Sequence, residues 1–418
     1  MSKSSAYLSG LDSLRWYSAF AVIITHVELR KKYEGLSNVW DSAWVQNLGP
    51  AGVYFFFTLS GFLVTWLLQK ERTQPLSTVL PDFYRRRGYR ILPLYYFLVL
   101  LGFLVLPQFN VFGYSDEPLV RTHAAEFVAF ISAQPHFASA FLQRVPNISH
   151  LWSIGVELTF YCFWPILILR SKNLKRTILT FCFAVVAIKV ALLILGPFLF
   201  LNPHPVFHFA ATLKFECMAI GAWFALPHGN RMSRILDASV SAWVAMAAVP
   251  LVFLLYSTRL DDVAHLPLSV VFGVIIRSAA FTTGSPIRFL DYRASAYLGR
   301  ISYGIYCYHV VGITLMLNLK PMEKYGNVQG NLFLYCGTLI FTIAVSSASF
   351  HFFELPISRR ARNVFAGTSE AENEPTRSNA RPASANLCVR SSNASLSEPD
   401  RIASSSASQV SAPDRSAA

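Results

Sequence analysis

Apolar runs of about 20 residues follow one another along most of this chain, at 11–30, 51–68, 91–107, 150–169, 177–195, 206–226, 240–256, 264–284, 297–317 and 331–352. A helix of that length matches the hydrocarbon thickness of a bilayer. It is also one of the two structures that pair every backbone N–H and C=O where no water is at hand. The expected fold class is therefore all-α: a polytopic membrane protein with about ten transmembrane helices. Composition agrees, since 53% of the 418 residues are hydrophobic and only 14% charged, with a mean hydropathy of +0.41. A soluble chain carries about 25% charge.

Most basic residues lie between the apolar runs. With both ends inside, the inner segments hold roughly twice as many Lys and Arg as the outer ones, although Arg30, Lys31 and Lys32 follow the first run on the outer side. The expectation is a multi-pass protein of the cytoplasmic (inner) membrane with both termini cytoplasmic. The same clustering explains the net charge of +13 as topology, so nucleic acid is not expected as a partner. Cys162, Cys182, Cys217, Cys307, Cys336 and Cys388 show no CxxC or Cys/His ligand spacing, and neither a disulfide framework nor a metal site is expected. The N-terminus reads as an uncleaved first helix. In the outer segment 108–149 the piece AEFVAFISA is too short to cross and is expected to lie along the interface or re-enter. Beyond Arg362 the composition turns to Ser, Ala, Asn, Pro and Arg. Residues 1–362 are thus expected to form the transmembrane domain and 363–418 a disordered cytoplasmic tail.

Ionisable groups inside the apolar runs are the candidate functional residues, because burying them is costly. Arg15 and His26 are eleven residues apart, which on a helix returns to within roughly 20° and separates them by about 16 Å along the axis. Counting from the expected helix ends, His26, Glu157 and His309 fall in one layer near the outer surface. Asp12 is expected to pair with Arg15 at i, i+3. Lys189 and Glu216 fall at similar depths and read as a buried ion pair between helices, whereas Arg277 has no motif support. His123, His136 and His150 belong to the outer loop, where they either line a groove or are simply solvated. Arg86, Arg87 and Arg90 lie on an inner loop and either bind phosphates or anchor the topology at lipid headgroups.

The stretch LDSLRWYSAFAVIITH, with ten residues between Arg15 and His26, resembles the first-helix signature of acyltransferase family 3. Further blocks of the family follow in order: GVYFFFTLSGFLVTW from Gly52, RRGYRILP from Arg86, LWSIGVELTFYCFWP from Leu151, LGRISYGIYCYHV from Leu298 and FFELP from Phe352. Where family members commonly read WSLSVEEQFY, Glu157 here is followed by Leu158 and Thr159, so a second carboxylate and an amide are missing. The resemblance implies a transmembrane bundle that moves an acyl group, here acetyl, from cytoplasmic acyl-CoA to a hydroxyl of an extracytoplasmic sugar, polysaccharide or lipo-oligosaccharide. Acyl-CoA is then donor substrate, with no resident cofactor. His26 is implied as general base, with Glu157 orienting it or stabilising the imidazolium, and His309 shaping the acceptor pocket or binding the acyl carbonyl. Arg15, Arg86, Arg87 and Arg90 are expected to hold the donor. The competing reading is a proton-coupled transporter or flippase, against which stand the absence of a visible repeat and the basic RRGYRILP block.

Overall fold

The computed structural model describes residues 10–109, 112, 123–256, 264–282, 285–319 and 328–360. The segment 363–418, with Cys388, lies outside them, as do Lys3, Arg121, Arg259, Lys320 and Lys324. The described residues are helical, with no strand among them.

The helices are α1 (Leu11–Tyr33), α2 (Ala43–Glu71), α3 (Leu76–Leu100), α4 (Ala124–Ile131), α5 (Pro135–Phe141), α6 (Trp152–Arg170), α7 (Leu174–Leu199), α8 (His204–Thr212), α9 (Phe215–Phe224), α10 (Asn230–Leu236), α11 (Ser239–Tyr256), α12 (His265–Phe281), α13 (Arg293–Arg300), α14 (Ser302–Asn318) and α15 (Val328–Ser349). Among the described residues, five helical stretches are long and apolar enough to cross a membrane: Ala43–Glu71, Leu76–Gln108, Ser149–Arg170, Leu174–Leu199 and Val328–Arg360. Their outward side chains are those of a membrane protein. Phe183 is 73% exposed, Phe198 85% and Ile340 69%, a surface that water would not tolerate but lipid does.

Of the remaining apolar runs, 11–30 forms the unbroken but more polar α1, and the others are shorter or broken. The run at 206–226 splits into α8 and α9 at Leu213 and Lys214, where Lys189 Nζ donates to the freed Leu213 carbonyl over 2.7 Å. A break at that depth persists only where protein groups replace the lost helical partner. The run at 297–317 divides into α13 and α14 at Ile301. By contrast α3 starts at Leu76, so Arg86, Arg87 and Arg90 are helical residues rather than loop residues. The AEFVAFI part of this piece belongs to α4, with Phe130 buried and Val128 66% exposed, the two-faced character of a helix lying in an interface.

Helix α1 is the hub. Its first turn carries Asp12 and its last turn Arg30, Lys31 and Lys32, each sign at the end of the helix dipole that favours it. This basic stretch is largely neutralised: buried Lys31 pairs with buried Glu28 at 2.8 Å, and Lys32 with Asp41 at 2.9 Å. α1 packs on α2, α13 and α14, and α2 packs in turn on α9, α12 and α6. Two motif glycines make these crossings close. A Cβ at Gly61 would strike the backbone of Met218 in α9, and one at Gly299 the backbone of Asp12 in α1. Backbones approach this closely at membrane helix crossings only where side chains are minimal.

Candidate active site

A cavity with about 810 Å³ of atom-free space, partly open to its surroundings, lies among α1, α2, α3, α6 and α14. Arg15, Arg87, Arg90, Ser60, Glu157 and Tyr306 are on its wall. Arg15 makes the expected ion pair with Asp12. The Arg87 guanidinium lies 5.3 Å from the Tyr161 ring centroid and 6.0 Å from that of Phe83, a stacked position that holds a cation without cancelling its charge. Arg90 lies within electrostatic reach of Arg15, Arg87 and Glu157. Neither Arg87 nor Arg90 forms an ion pair among the described residues. Three guanidinium groups thus line a partly open cavity that holds one carboxylate, Glu157, and only Arg15 among them has an ion-pair partner, Asp12, among the described residues. Such an excess of positive charge fits an anionic ligand.

Arg86 departs from this group. Its Nη2 donates to both carboxylate oxygens of Glu71, at 3.0 and 2.9 Å, at the C-terminal end of α2. Glu71 captures it outside the cavity.

Toward the C-terminal end of α1 three imidazoles meet. His309 is fully buried, and its Nδ1 lies 2.6 Å from the carbonyl of Tyr306, an acceptor only, so the proton of neutral His309 sits on Nδ1. Its Nε2 then accepts, and the partner 3.0 Å away is His26 Nδ1. His26 Nδ1 also lies 3.1 Å from the Val22 carbonyl, so its N–H is shared between two acceptors. Assigned from this network, His26 carries its proton on Nδ1 and keeps a lone pair on Nε2, for which no partner exists among the described residues. That is the form of a general base. His150 completes the cluster, with its ring centroid 4.9 Å from His309 and its Nε2 donating to the Cys307 carbonyl at 3.1 Å. Tyr306 joins the two regions, since it lines the cavity while its ring lies 5.6 Å from that of His309.

Two sequence expectations change here. Glu157 shares no contact with His26; it accepts hydrogen bonds from Ser60 of α2 and from Tyr161 one turn along its own helix, among the arginines of the cavity. Depth along a helix fixed neither the direction of its side chain nor its partners, and the group beside His26 is His309 instead. His150, expected either to line a groove or to be solvated, is only 5% exposed, in a segment where Asn147 takes a φ of 61°. The signal available was its place immediately before the LWSIGVE block. His136 is likewise buried, against Gly155 and the Phe209 ring, and this burial pushes its imidazole down to about 4, leaving a neutral packing group. His123 sits 3.5 Å from Glu126.

The other ionisable residues inside the apolar runs are structural clamps. Lys189 and Glu216 form the expected buried pair at 2.6 Å, and His265 joins Glu216 at 2.7 Å. Arg277 forks onto Asp237 and caps the carbonyls of Phe224 and Leu226 at 2.9 Å each, which ends α9.

Residues 8–351 match the family described as an acyltransferase domain. Among curated relatives, one named peptidoglycan O-acetyltransferase YrhL, from Bacillus subtilis strain 168, is 26% identical over 389 residues, covering 86% of this chain and 56% of the relative. One named O-acetyltransferase OatA, from Staphylococcus aureus strain NCTC 8325, is 25% identical over 380 residues, covering 87% of this chain and 59% of the relative. The chain therefore spans less than three fifths of the length of these relatives. No solved structure matches.

Proposed function

The chain belongs to the acyltransferase family whose domain it carries, and from that premise we propose that it is a membrane O-acetyltransferase acting on a hydroxyl of an extracytoplasmic saccharide of the peptidoglycan type. The observation that carries this reading is the continuity from a cavity of three arginines, through Tyr306, to a histidine with a free Nε2. An acyl-CoA donor has what such a path requires. Its phosphates bind guanidinium groups, and a pantetheine arm of about 20 Å spans the roughly 16 Å from Arg15 to His26. The nucleotide enters from the cytoplasm and remains at the arginines, while the thioester reaches the layer of His26.

Transfer then follows from the side chains present. His26 Nε2 takes the proton of the acceptor hydroxyl as its oxygen attacks the thioester carbonyl, and the C–S bond breaks as the tetrahedral intermediate collapses. The imidazolium returns the proton to the departing thiolate. His309, fixed by the Tyr306 carbonyl, accepts from His26 Nδ1 and holds the base in the productive tautomer. The topology that suits this route has about ten crossings with both termini inside, the broken segments α8–α9 and α13–α14 each completing one of them. A carrier has no need for guanidinium groups gathered beside a fixed base, and the transporter reading is not favoured.

The test is reconstitution in nanodiscs with acetyl-CoA and a saccharide acceptor, following free CoA with a thiol reagent and the ester by mass spectrometry. Stoichiometric CoA and ester are expected; acetyl-CoA left intact under all acceptors would overturn the proposal.

The placement of Glu157 changes what its substitution does. A group that belongs to the donor cavity and not to the base acts independently of His26, so Glu157→Gln is expected to lower turnover by about 10-fold. Combined with His26→Ala it should give losses that multiply, since uncoupled residues are additive in free energy. A double variant no slower than His26→Ala alone would show that the two work as one unit after all.

A further inference from the structure

The histidine cluster has a second layer above it. Each element that supplies an imidazole supplies one more polar residue toward the outer end: α1 gives His26 and Arg30, α14 gives His309 and Thr314, and the segment before α6 gives His150 and Asn147. The upper three are linked. Thr314 Oγ1 donates to Asn147 Oδ1 at 2.6 Å, and Asn147 Nδ2 donates to the Phe112 carbonyl at 3.2 Å, which fixes the carboxamide. With its proton committed, Thr314 Oγ1 offers only lone pairs to its other neighbour, Arg30 Nη2, at 3.5 Å. Thr314 and Asn147 are buried, and Arg30 keeps 30% of its side-chain surface.

Arg30 is held but not satisfied. Its Nε is buried without a hydrogen-bond partner, and its ion-pair neighbour, Glu34, is 3.6 Å away, too long for a charge-assisted hydrogen bond. A second cation, Arg144, lies on the same side, with Nη1 donating to Tyr33 at 3.4 Å. Arg30 follows His26 by one helical turn, and its Nη2 lies between Thr314 and Glu34, in the layer next to the imidazoles. A group bound there lies about one helical turn beyond the hydroxyl that His26 deprotonates.

We propose that Arg30, positioned by Thr314 and Asn147, is an acceptor subsite that recognises a carboxylate on the sugar undergoing acylation. The proposal rests on the reading of His26 as the base that faces the acceptor. A guanidinium fork matches a carboxylate in two parallel hydrogen bonds, whereas a neutral hydroxyl would leave its charge uncompensated. Donor phosphates are already provided for at the opposite end of α1, so the ligand of Arg30 belongs to the other substrate.

Equilibrium binding tests this without any transfer step. Full-length protein in nanodiscs is titrated with two radiolabelled probes, the disaccharide of N-acetylglucosamine and N-acetylmuramic acid, which carries a carboxylate, and the neutral disaccharide of N-acetylglucosamine. The wild type is expected to bind the first about 10- to 100-fold more tightly. Arg30→Gln should bring that ratio to about one. Arg30→Lys, which keeps the charge but not the fork, should retain part of it, and Thr314→Val should lower it by releasing the guanidinium. A ratio near one in the wild type, or one that survives in Arg30→Gln, overturns the proposal. Because no donor is present, a failure of acetyl transfer shows only in the CoA-release assay. A ratio that follows Arg30 while acetyl-CoA stays intact would retain the subsite and discard the acyl-transfer reading.

Discussion

His26→Ala lowers acetyl transfer by about 10²- to 10⁴-fold, with the protein still folded in the membrane. The size follows from the step that is lost. Proton transfer from the acceptor hydroxyl occurs in the transition state, and no other group is placed to take it over. His150 presents Nε2 to the Cys307 carbonyl, and His309 is fully buried on the Nδ1 side of the lost imidazole, away from the position of its Nε2. Folding should survive because His26 is only partly buried and its hydrogen bonds run to a carbonyl of its own helix and to one imidazole. The measurement is CoA release by wild type and variant at equal protein, with size-exclusion profiles compared. His309→Ala should cost less, since that residue acts through His26 and not on the substrate. Retention of more than a tenth of wild-type turnover in His26→Ala would assign the base elsewhere.

How far these positions were legible in the sequence differs from residue to residue. The Arg15–His26 spacing was readable because a single helix converts sequence distance into angle and depth, and α1 keeps both on one unbroken helix. The ion pair of Lys189 and Glu216 was readable because two opposite charges at one depth have few other outlets in lipid. Side-chain direction was not. Glu157 and His26 share a layer by counting, yet the partners of Glu157 are on α2 and on its own helix, which depends on helix rotation and neighbour order. The break at Leu213 was invisible for a related reason: no Gly or Pro marks it, and it is held by Lys189, a residue of another helix. The family resemblance supplied what periodicity does not, namely that the blocks from α1, α3, α6 and α14 belong to one site. It also grouped Arg86 with its neighbours, although Glu71 draws Arg86 away.

The combined change Arg87→Gln with Arg90→Gln raises the Michaelis constant for acetyl-CoA by about 10²- to 10⁴-fold. Each guanidinium is expected to make one charge-assisted hydrogen bond to a donor phosphate, about 1.5 to 3 kcal/mol apiece, or about 3 to 6 kcal/mol for two. Water reaching the partly open cavity pulls the result toward the lower end of that range. Arg86→Gln is the internal comparison. It removes the same charge from the same helix, but Arg86 is held by Glu71 on the exposed surface, so the donor constant should shift less than threefold. A truncated donor separates binding from folding. S-Acetyl-pantetheine carries the thioester and arm but no phosphate, so the double variant should use it as well as the wild type does, however poorly that is. Equal loss on both donors would mean that the substitutions damage the cavity as a whole. An unchanged constant for acetyl-CoA would make Arg87 and Arg90 topology anchors at the lipid headgroups, and the phosphates would then have to bind away from the cavity that Arg15 and Glu157 share.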